Sequence, residues 1–550
     1  MQSATPPSLL ALPDACLLLI MRQLAKSDTP SLLTAAASHS RLCMAAREAL
    51  SSITADMRLQ KQADSIPLYL EKYGHHIDII NLHAEENNPL SLSLPGQLNL
   101  SSLLLANINL LSAQGLYPPS IGGTALKQLQ LFKCSMLDEA VGIALLEAVS
   151  QLTKLESLSM SEVDFGNAPH IKDSLLVLPM GLLERFKHLT ALRLNDMWIG
   201  TPEAATPVLQ PLQALTASLV DLELQHLKHE GALRLTASML AGAVRLTNLT
   251  LVGADHDQDD GGDDNDDDPD CAHVCVEADI LARRTVLQRL HLGFCRIVGG
   301  AAGVAQLLSH VKPLNQLTYL SFRGSLPEFH MDISPSAYSS ITACSKLKIL
   351  DLSVNTMPKG VWQHMLPAGR LVSNLVSLII FNVYEPSGDY LPPPEGSRLV
   401  SCCPSLQELS VSGLYNVGLY NPEVLAALPK LTGLTRLSVE IEDDATTFEF
   451  VEAVCQFTRL RELDVFLPAG ELPTALMHLT TLEALTSLSL DRNADTTISP
   501  VVTFTCEVRR RKHTDSAGCC GRVRVQLPWP DAIGGTWKCL TSVTSSMPVA

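Results

Sequence analysis

A short leucine pattern recurs along most of the chain and constrains its fold more than any other feature. The pattern is Leu, two variable residues, Leu, one variable residue and a further apolar residue. One copy would mean little, because leucine-rich helices mimic it, but fifteen copies at a steady period indicate one structural unit repeated. Their spacing is mostly 23 to 34 residues, and they begin at Ile77, Leu100, Leu126, Leu155, Leu189, Leu219, Leu246, Leu287, Leu317, Leu347, Leu375, Leu406, Leu434, Leu460 and Leu485.

The spacing within each copy predicts a strand. The last two apolar residues are two positions apart, so both point to one side of an extended chain. Helix-like stretches follow several copies, at Leu137–Ser150, Phe448–Phe457 and Thr474–Leu485. A strand and a helix repeated in this order predict an α/β fold with parallel strands on one face and helices on the other. No single unit can bury its apolar side alone, so the units must stack.

The pattern resembles the leucine-rich repeat family, whose full unit places Asn or Cys at its ninth position. Cys134, Cys295, Asn355 and Asn493 stand at that position here. The resemblance covers residues 77–497. It implies a horseshoe-shaped solenoid whose parallel strands line a concave, partner-binding face.

The segment before the repeats has a different character and resembles an F-box. Leu12-Pro13-Asp14 is followed by an apolar stripe of Leu17, Ile20 and Leu24. We assign residues 8–51 to this helical segment and residues 52–76 to a linker helix. The resemblance implies that Leu12, Pro13, Leu17, Ile20 and Leu24 contact a Skp-family adaptor. The alternative is a helical cap that seals the end of the solenoid.

Charge and composition narrow the classes of partner. Lys and Arg number 40 against 57 Asp and Glu, a net charge of −17, which argues against nucleic acid or an anionic membrane as the main partner. No apolar run approaches the ~20 residues of a membrane-spanning helix. No signal peptide is evident, so we interpret the 14 Cys as reduced thiols. We therefore expect the protein to lie in the cytoplasm or in the nucleus. If it is a scaffold protein, the alternative location is the cytoskeleton or the cilium axoneme.

Two segments interrupt or follow the repeats. Residues 255–270 contain ten Asp and no Lys, Arg or Glu, which predicts a solvated, disordered insert rather than a calcium loop. Cys271, His273 and Cys275 follow it without the second ligand pair that zinc usually needs. Residues 498–550 carry the basic run Arg509–Lys512 and predict an irregular, disordered tail, with a nuclear localisation signal as the alternative reading of that run.

No catalytic motif is present: the sequence has no P-loop, no nucleophile elbow, no zinc-protease motif and no dinucleotide fingerprint. We therefore predict a recognition protein that is not an enzyme and needs no cofactor or metal. The candidate partner-binding residues are the variable positions that flank the motif leucines, where side chains should face a partner. They are Arg193, Asp221, Glu223, Arg289, His291, Tyr319, Arg323, Asp351, Phe381, Glu440, Glu462 and Asp464.

These side chains suggest two zones, with arginines and aromatics in the middle units and acidic residues in the last units. A target with acidic or phosphorylated residues near a basic stretch would suit both. Together, the resemblances imply a substrate receptor of an SCF-type ubiquitin ligase. It would bind the adaptor, and through it cullin, and hold an unknown target protein. The alternative is a leucine-rich repeat scaffold without a role in ubiquitin transfer.

Overall fold

The structure is a computed structural model of the chain. It describes residues 12–27, 35, 39–49, 52–74, 77–86, 88–94, 98, 100–112, 126–165, 178–200, 209–215, 217–229, 233–253, 274–326, 333–387, 391, 394–411, 427–440, 452–467, 482, 484–492, 504–507 and 525–526. The chain forms two compact units, Met1–Leu287 and Gln288–Ala550. The acidic run 255–270 lies outside the described residues, as do Cys271 and His273. So do the run Arg509–Lys512, residues 448–451 of the helix predicted at Phe448–Phe457, and most of the helix predicted at Thr474–Leu485.

Long parallel strands dominate both units, and we number all strands in chain order. In the first unit these are Ser52–Met57 (β1), Ile79–Ala84 (β2), Ser102–Ala106 (β4), Gln128–Phe132 (β6), Ser157–Ser161 (β8), Ala191–Asn195 (β10), Asp221–Gln225 (β12) and Asn248–Val252 (β14). In the second unit they are Arg289–Gly293 (β16), Tyr319–Ser321 (β18), Ile349–Asp351 (β19), Ser377–Ile380 (β21), Glu408–Val411 (β23), Arg436–Glu440 (β24), Glu462–Leu467 (β25) and Ser487–Arg492 (β26).

Shorter strands accompany the long ones. They are Leu90–Ser93 (β3), Ile108–Ser112 (β5), Ser135–Met136 (β7), Leu178–Pro179 (β9), Ile199–Gly200 (β11), Leu233–Leu235 (β13), Val274–Glu277 (β15), Cys295–Val298 (β17), Asn355–Thr356 (β20), Val383–Tyr384 (β22), Phe504–Glu507 (β27) and Val525–Gln526 (β28).

Helices form the other layer. The α-helices are Asp14–Ser27 (α1), Ser40–Ala49 (α2), Gln60–Tyr73 (α3), Glu139–Ser150 (α4), Gly300–Val311 (α5), Val361–Met365 (α6) and Gly396–Cys402 (α7). Other connections are 3₁₀ helices, at Met180–Arg185, Gln210–Leu215, Ala278–Leu281, Pro335–Ala343 and Leu428–Lys430. Helix α4 matches the predicted Leu137–Ser150, and the Asp138 side chain caps it by accepting a hydrogen bond from the Val141 N–H.

The predicted α/β class is confirmed, and each of the fifteen motifs carries one long parallel strand. Within each unit the strands pair in register, so motif leucines stack on motif leucines. Leu290, for example, pairs with Leu320, which pairs with Leu350. All three are at most 1% exposed. This repeated parallel arrangement is compatible with a solenoid.

The segment predicted as a linker helix begins with a strand instead. Strand β1 pairs in parallel with β2, with Ser52 opposite Ile79. Ile53, Ala55 and Met57 are buried while their neighbours are not, which is the two-residue period of a strand. The helix in this segment is confined to α3. The strand ladder therefore begins one unit before the first predicted motif.

The tail is not wholly irregular, which corrects part of the prediction. Strand β27 pairs antiparallel with β26, and β28 pairs antiparallel with β27. The only parts of residues 498–550 that the structure describes are these two strands. β27 thus occupies the edge that the last motif strand would otherwise leave open.

Nine of the fifteen motif strands are followed by the same left-handed turn, at the eighth residue of the motif. Nine such residues have positive φ: Asn107, Lys133, Glu162, Asp196, His226, Phe294, Gly324, Val354 and Asn382. The turn directs the N–H of that residue toward a backbone carbonyl at the end of the next strand. The Phe294 N–H, for example, donates to the Arg323 carbonyl at 2.7 Å, and the Val354 N–H donates to the Phe381 carbonyl at 2.7 Å. The left-handed backbone costs energy in a non-glycine residue, and this hydrogen bond helps to offset that cost.

A buried polar row runs through the second unit at the ninth motif position. Cys295 occupies it first, and its backbone N–H donates to the Ser325 Oγ at 2.8 Å. Asn355 follows, accepting from the Leu326 N–H at 2.8 Å and donating to the carbonyls of Leu352 and Ser353 at 2.7 and 3.1 Å. Ser325 was not among the predicted residues of this row, because serine is not one of the two residue types of the family pattern.

Replacing Asn355 by Ala should destabilise the protein by on the order of 3 kcal/mol, since three buried hydrogen bonds lose their partner. Urea unfolding of the full chain measures the effect. Asn374 is a matched control because it is exposed and makes one bond, to the Ser345 carbonyl. Its replacement by Ala should cost less than about 1 kcal/mol. Equal losses in the two variants would contradict the structural role of Asn355.

Three buried thiols predict that the protein becomes less stable at alkaline pH. Burial raises the pKa of Cys134 to about 11, that of Cys344 to about 11 and that of Cys403 to about 12. The neighbouring Cys402 adds to the shift of Cys403. When the pKa of a group is higher in the folded state than in the unfolded state, the group stabilises the fold fully at pH values below the unfolded-state pKa. This stabilisation is lost as the pH rises toward the folded-state pKa.

We therefore expect the free energy of unfolding to fall between about pH 9 and pH 11, by on the order of 1 kcal/mol per thiol per pH unit. Urea unfolding at pH 8 and pH 10.5 tests this. The Cys403→Ala variant should show a shallower decline over that interval than the wild type. An unchanged slope in this variant would show that the thiol does not ionise on unfolding.

Candidate protein-interaction surface

The outward side of the long strands is the candidate surface. The third, fifth and seventh motif positions lie between or after the buried leucines, so their side chains point away from the core. Strand β16 shows the alternation: Arg289 is exposed, His291 is half-buried, and Leu290 and Leu292 are buried. Most candidate residues occupy these positions, and the structure sorts them into separate clusters.

In the first unit, Arg193 on β10 is neutralised by its neighbours on β12. Its guanidinium lies 2.6 Å from an Asp221 oxygen and 3.5 Å from a Glu223 oxygen. These contacts raise the pKa of Arg193, chiefly through the hydrogen bond to Asp221. The three predicted residues therefore lie together, but their charges are paired with one another.

In the second unit, Arg289, His291 and Tyr319 form a cluster across β16 and β18. Arg289 pairs in register with Tyr319, and its guanidinium carbon lies 4.4 Å from the centre of the tyrosine ring. His291 meets the same ring edge-on, with ring centres 6.2 Å apart. Such a guanidinium–aromatic contact holds the cation in a defined place without consuming its hydrogen-bond donors.

Arg323 stacks on a different ring, that of Phe294. Its guanidinium carbon lies 5.7 Å from the centre of that ring. Gly324 makes the arrangement possible, because it has a φ of +62° and an added Cβ would lie 2.5 Å from a Phe294 ring carbon. Sequence reasoning missed Phe294 because it occupies the turn after the strand rather than a strand position.

Asp351 on β19 is held by two serines. It accepts from the Ser321 Oγ at 3.1 Å, and from the N–H and Oγ of Ser353 at 3.0 and 2.7 Å. Burial and then the Asp351 charge raise the pKa of Tyr319, while Arg289 and Arg323 oppose that shift. Both cations therefore act electrostatically on the same hydroxyl.

The predicted acidic zone at the end of the chain contains an arginine among its carboxylates. Arg436 on β24 lies 3.3 Å from Glu408, 3.5 Å from Glu462 and 3.8 Å from Asp464. Glu462 and Asp464 therefore share one cation with Glu408, and three carboxylates around one guanidinium leave the cluster with a net negative charge. Phe381 is half-buried just after β21, and its backbone N–H donates to the Ser353 Oγ at 3.4 Å. The Glu440 side chain lies outside the described residues.

The N-terminal helices present a second candidate surface. On α1, Leu17 and Met21 are fully buried, while Leu19 is 70% exposed. Leu12, Ile20 and Leu24 are half-buried and Pro13 is exposed. The prediction that Leu17 contacts a partner is therefore corrected, since its side chain packs inside the protein.

Leu19, which is not among the predicted contact residues, is the exposed leucine of this helix. Leu17, Met21 and Leu24 occupy the inward stripe of the helix, and Leu19 lies about 160° round the helix from Met21. Met44 on α2 is also 65% exposed. The Arg41 side chain joins the two helices by donating to the Leu12 carbonyl at 3.0 Å and to the Asp14 carboxylate at 2.5 Å.

Other kinds of site are not evident in the part of the chain that the structure describes. That part contains no group of three metal-ligating side chains. It also contains no helix with the length and apolar character to cross a membrane. A shallow open depression over β2, β4 and β6 is lined by polar and apolar side chains, among them Asn81, Leu104 and Gln130. Comparison of the chain with protein-family models and with curated proteins finds no match.

Replacing Arg436 by Met should lower stability by roughly 1 kcal/mol at low salt, because three carboxylates lose the charge between them. The loss should shrink at high salt, where their repulsion is screened. The control is Arg289→Met, which removes a cation with no described carboxylate partner and should show little salt dependence. Thermal unfolding at about 0.02 M and 1 M NaCl checks both variants. Equal salt dependence would contradict this account of Arg436.

Proposed function

We propose that this chain is a leucine-rich repeat protein that recognises a target protein on its strand face and binds an adaptor through its N-terminal helices. In this proposal it acts as a substrate receptor of an SCF-type ubiquitin ligase, with a Skp-family adaptor linking it to cullin. The fifteen motif strands and their in-register leucines support the repeat assignment. The Leu-Pro-Asp segment and the two joined helices support the F-box assignment.

One observation carries the adaptor assignment: α1 turns a leucine outward. Leu19 is 70% exposed on the side of the helix opposite its buried stripe. A helix that only sealed the end of a repeat array would be expected to present a polar outer face. The exposed Leu19 on α1 and the exposed Met44 on α2 instead support an apolar contact with another protein.

The mechanism requires no catalytic group from this chain. The repeats hold the target while the helices hold the adaptor, so target lysines are kept close to a ubiquitin-loaded enzyme. Linking two binding events in one chain raises the effective concentration of the reacting groups, to millimolar values or above. The contribution of this protein is therefore positional, and it depends on a stiff connection between its two surfaces.

Replacing Leu19 by Asp should weaken binding of a purified Skp-family adaptor more than tenfold, because an unpaired charge in an apolar contact costs several kcal/mol. Calorimetric titration of the full chain with the adaptor measures the affinity. Leu19 is a better probe than Ile20, which is half-buried, because its replacement should leave the fold intact.

Leu371 provides the matched control, since it is 64% exposed and lies in the second unit. Leu371→Asp should bind the adaptor as tightly as the wild type does. If the wild-type chain shows no adaptor binding, the helices are a cap and the protein is a scaffold. If Leu19→Asp binds normally, the contact lies elsewhere on the chain.

A further inference from the structure

Arg284 places a charge at a motif position that is uncharged in every other motif. The position lies three residues before the first leucine of each motif, and in ten motifs it holds a buried apolar side chain. Arg284 is as deeply buried as these residues, with only 3% of its surface exposed. The ten residues are Leu152, Phe186, Ala243, Leu314, Cys344, Val372, Cys403, Leu431, Phe457 and Leu482.

The backbone at Arg284 has the same hydrogen bonding as in those motifs. The Leu287 N–H donates to the Arg284 carbonyl at 3.0 Å, just as the Leu246 N–H donates to the Ala243 carbonyl at 3.3 Å. Arg284 therefore occupies a core position without a shift of register. Leucine holds this position in several other motifs, so the repeat fold does not itself require a cation there.

The guanidinium of Arg284 reaches the turn of the preceding motif. Its Nη2 donates to the Leu240 carbonyl, which also accepts from the Ala243 N–H at 2.9 Å. Ala243 holds the equivalent position in that motif, and its methyl group is smaller than the leucine or phenylalanine of other motifs. This small neighbour makes room beside the guanidinium for a further group.

The other nitrogens of this guanidinium are buried, and no described residue accepts from them. Both Nε and Nη1 lack a hydrogen-bond partner, and no described carboxylate forms an ion pair with Arg284. Glu277, nearby in the chain, is engaged by Arg234 and by the Ala237 N–H. Burial lowers the pKa of Arg284, whereas the hydrogen bond to Asp221 raises the pKa of Arg193.

Capping of the Leu240 carbonyl does not by itself account for this burial. Arg370 and Arg398 also donate to backbone carbonyls, each at 2.9 Å, and both are only half-buried. Their remaining N–H groups can reach solvent. A buried cation without a counter-charge costs several kcal/mol, so the surroundings of Arg284 are those of a cation that holds an anion.

We propose that Arg284 is the cationic centre of a buried site for one small monovalent anion, between the turns of two consecutive motifs. The ligand is an ion of about the size of chloride or a single carboxylate group, since one negative charge neutralises one guanidinium and both accept from its N–H groups. The anion links the turn that contains Leu240 to the turn that contains Arg284. This inference does not depend on the proposed function.

Thermal unfolding of the full chain tests the site in sodium gluconate, whose anion is too large to be buried there. Gluconate is replaced stepwise by chloride or by formate at constant ionic strength. At about 0.2 M of either small anion we expect the Tm to rise by at least about 2 °C and to approach a plateau, because a ligand that binds only the folded state stabilises it.

The Arg284→Leu variant should fold, since leucine holds this position in other motifs, and its Tm should not respond to chloride or formate. The matched control is Arg245→Leu, which removes an exposed arginine of the preceding motif. This control should keep the full response of the wild type. Loss of the response in both variants would assign it to overall charge and overturn the site.

A deletion variant distinguishes a free ion from a carboxylate of the chain itself, because residues 255–270 carry ten Asp in the same repeat as Arg284. If the chain supplies the carboxylate, the wild type should not respond to small anions. Deletion of residues 255–270 should then lower the Tm and make it respond to chloride, and neither effect should occur when Arg284 is leucine.

Two results would overturn the inference. In the first, the wild-type Tm responds neither to small anions nor to the deletion, and Arg284→Leu raises it, as expected for an unpaired buried charge replaced by an apolar side chain. In the second, Arg284→Leu lowers the Tm equally in all three anions and with or without residues 255–270. That result would leave Arg284 with carbonyl capping as its only role.

Discussion

In-register stacking of motif leucines is the constraint on which the rest of this structure depends. A strand with the pattern Leu-x-x-Leu-x-Leu has one apolar side, and it can be buried only if an equivalent strand lies beside it. The pairing of Leu290 with Leu320 and of Leu320 with Leu350 repeats the same contact from unit to unit. Each residue contributes burial worth about 2 kcal/mol, so a slip by one position would expose a whole row.

The left-handed turn after nine of the motif strands extends the same repetition to the backbone. Side chains as different as Lys133, Asp196, Phe294 and Val354 adopt the left-handed conformation there. What they share is a position, at which an N–H reaches the carbonyl of the next unit. Val354 is the clearest case, because a β-branched residue is rarely found with positive φ. The stacking of the units thus imposes the local conformation, against the preference of the residue.

Because the frame is repetitive, differences between units appear mainly on the outward side of the strands. At the third and fifth motif positions, Arg193 and Arg436 are paired with carboxylates of neighbouring strands, whereas Arg289 is stacked on an aromatic ring. Charge pairing around Arg193 and Arg436 removes those residues from the set available to a partner. Ring stacking keeps Arg289 and Arg323 available and ordered. The neighbour that each arginine has across the strand gap therefore decides whether its charge is paired.

A similar division applies to the N-terminal helices. Their apolar residues outnumber what two short helices can bury between themselves, since small segments have a high ratio of surface to volume. Leu17 and Met21 take the inward places and Leu19 is left outside. The adaptor proposal and the cap alternative differ in what covers that leucine, and the affinity of the isolated pair of proteins decides between them.

The sequence by itself determined the repeated strand, its parallel partners and the outward positions, because a fixed period of leucines leaves one way to bury them. It also located α1 from its apolar stripe, and it located α4 at Leu137–Ser150. It did not reveal β1, whose segment Ser52–Met57 has the alternation of a strand but lacks the leucine motif. Nor did it place Phe294 beneath Arg323 or surround Arg436 with Glu408, Glu462 and Asp464. Those contacts join residues some 25 to 30 positions apart in the chain, and only the register between neighbouring strands decides which side chains meet.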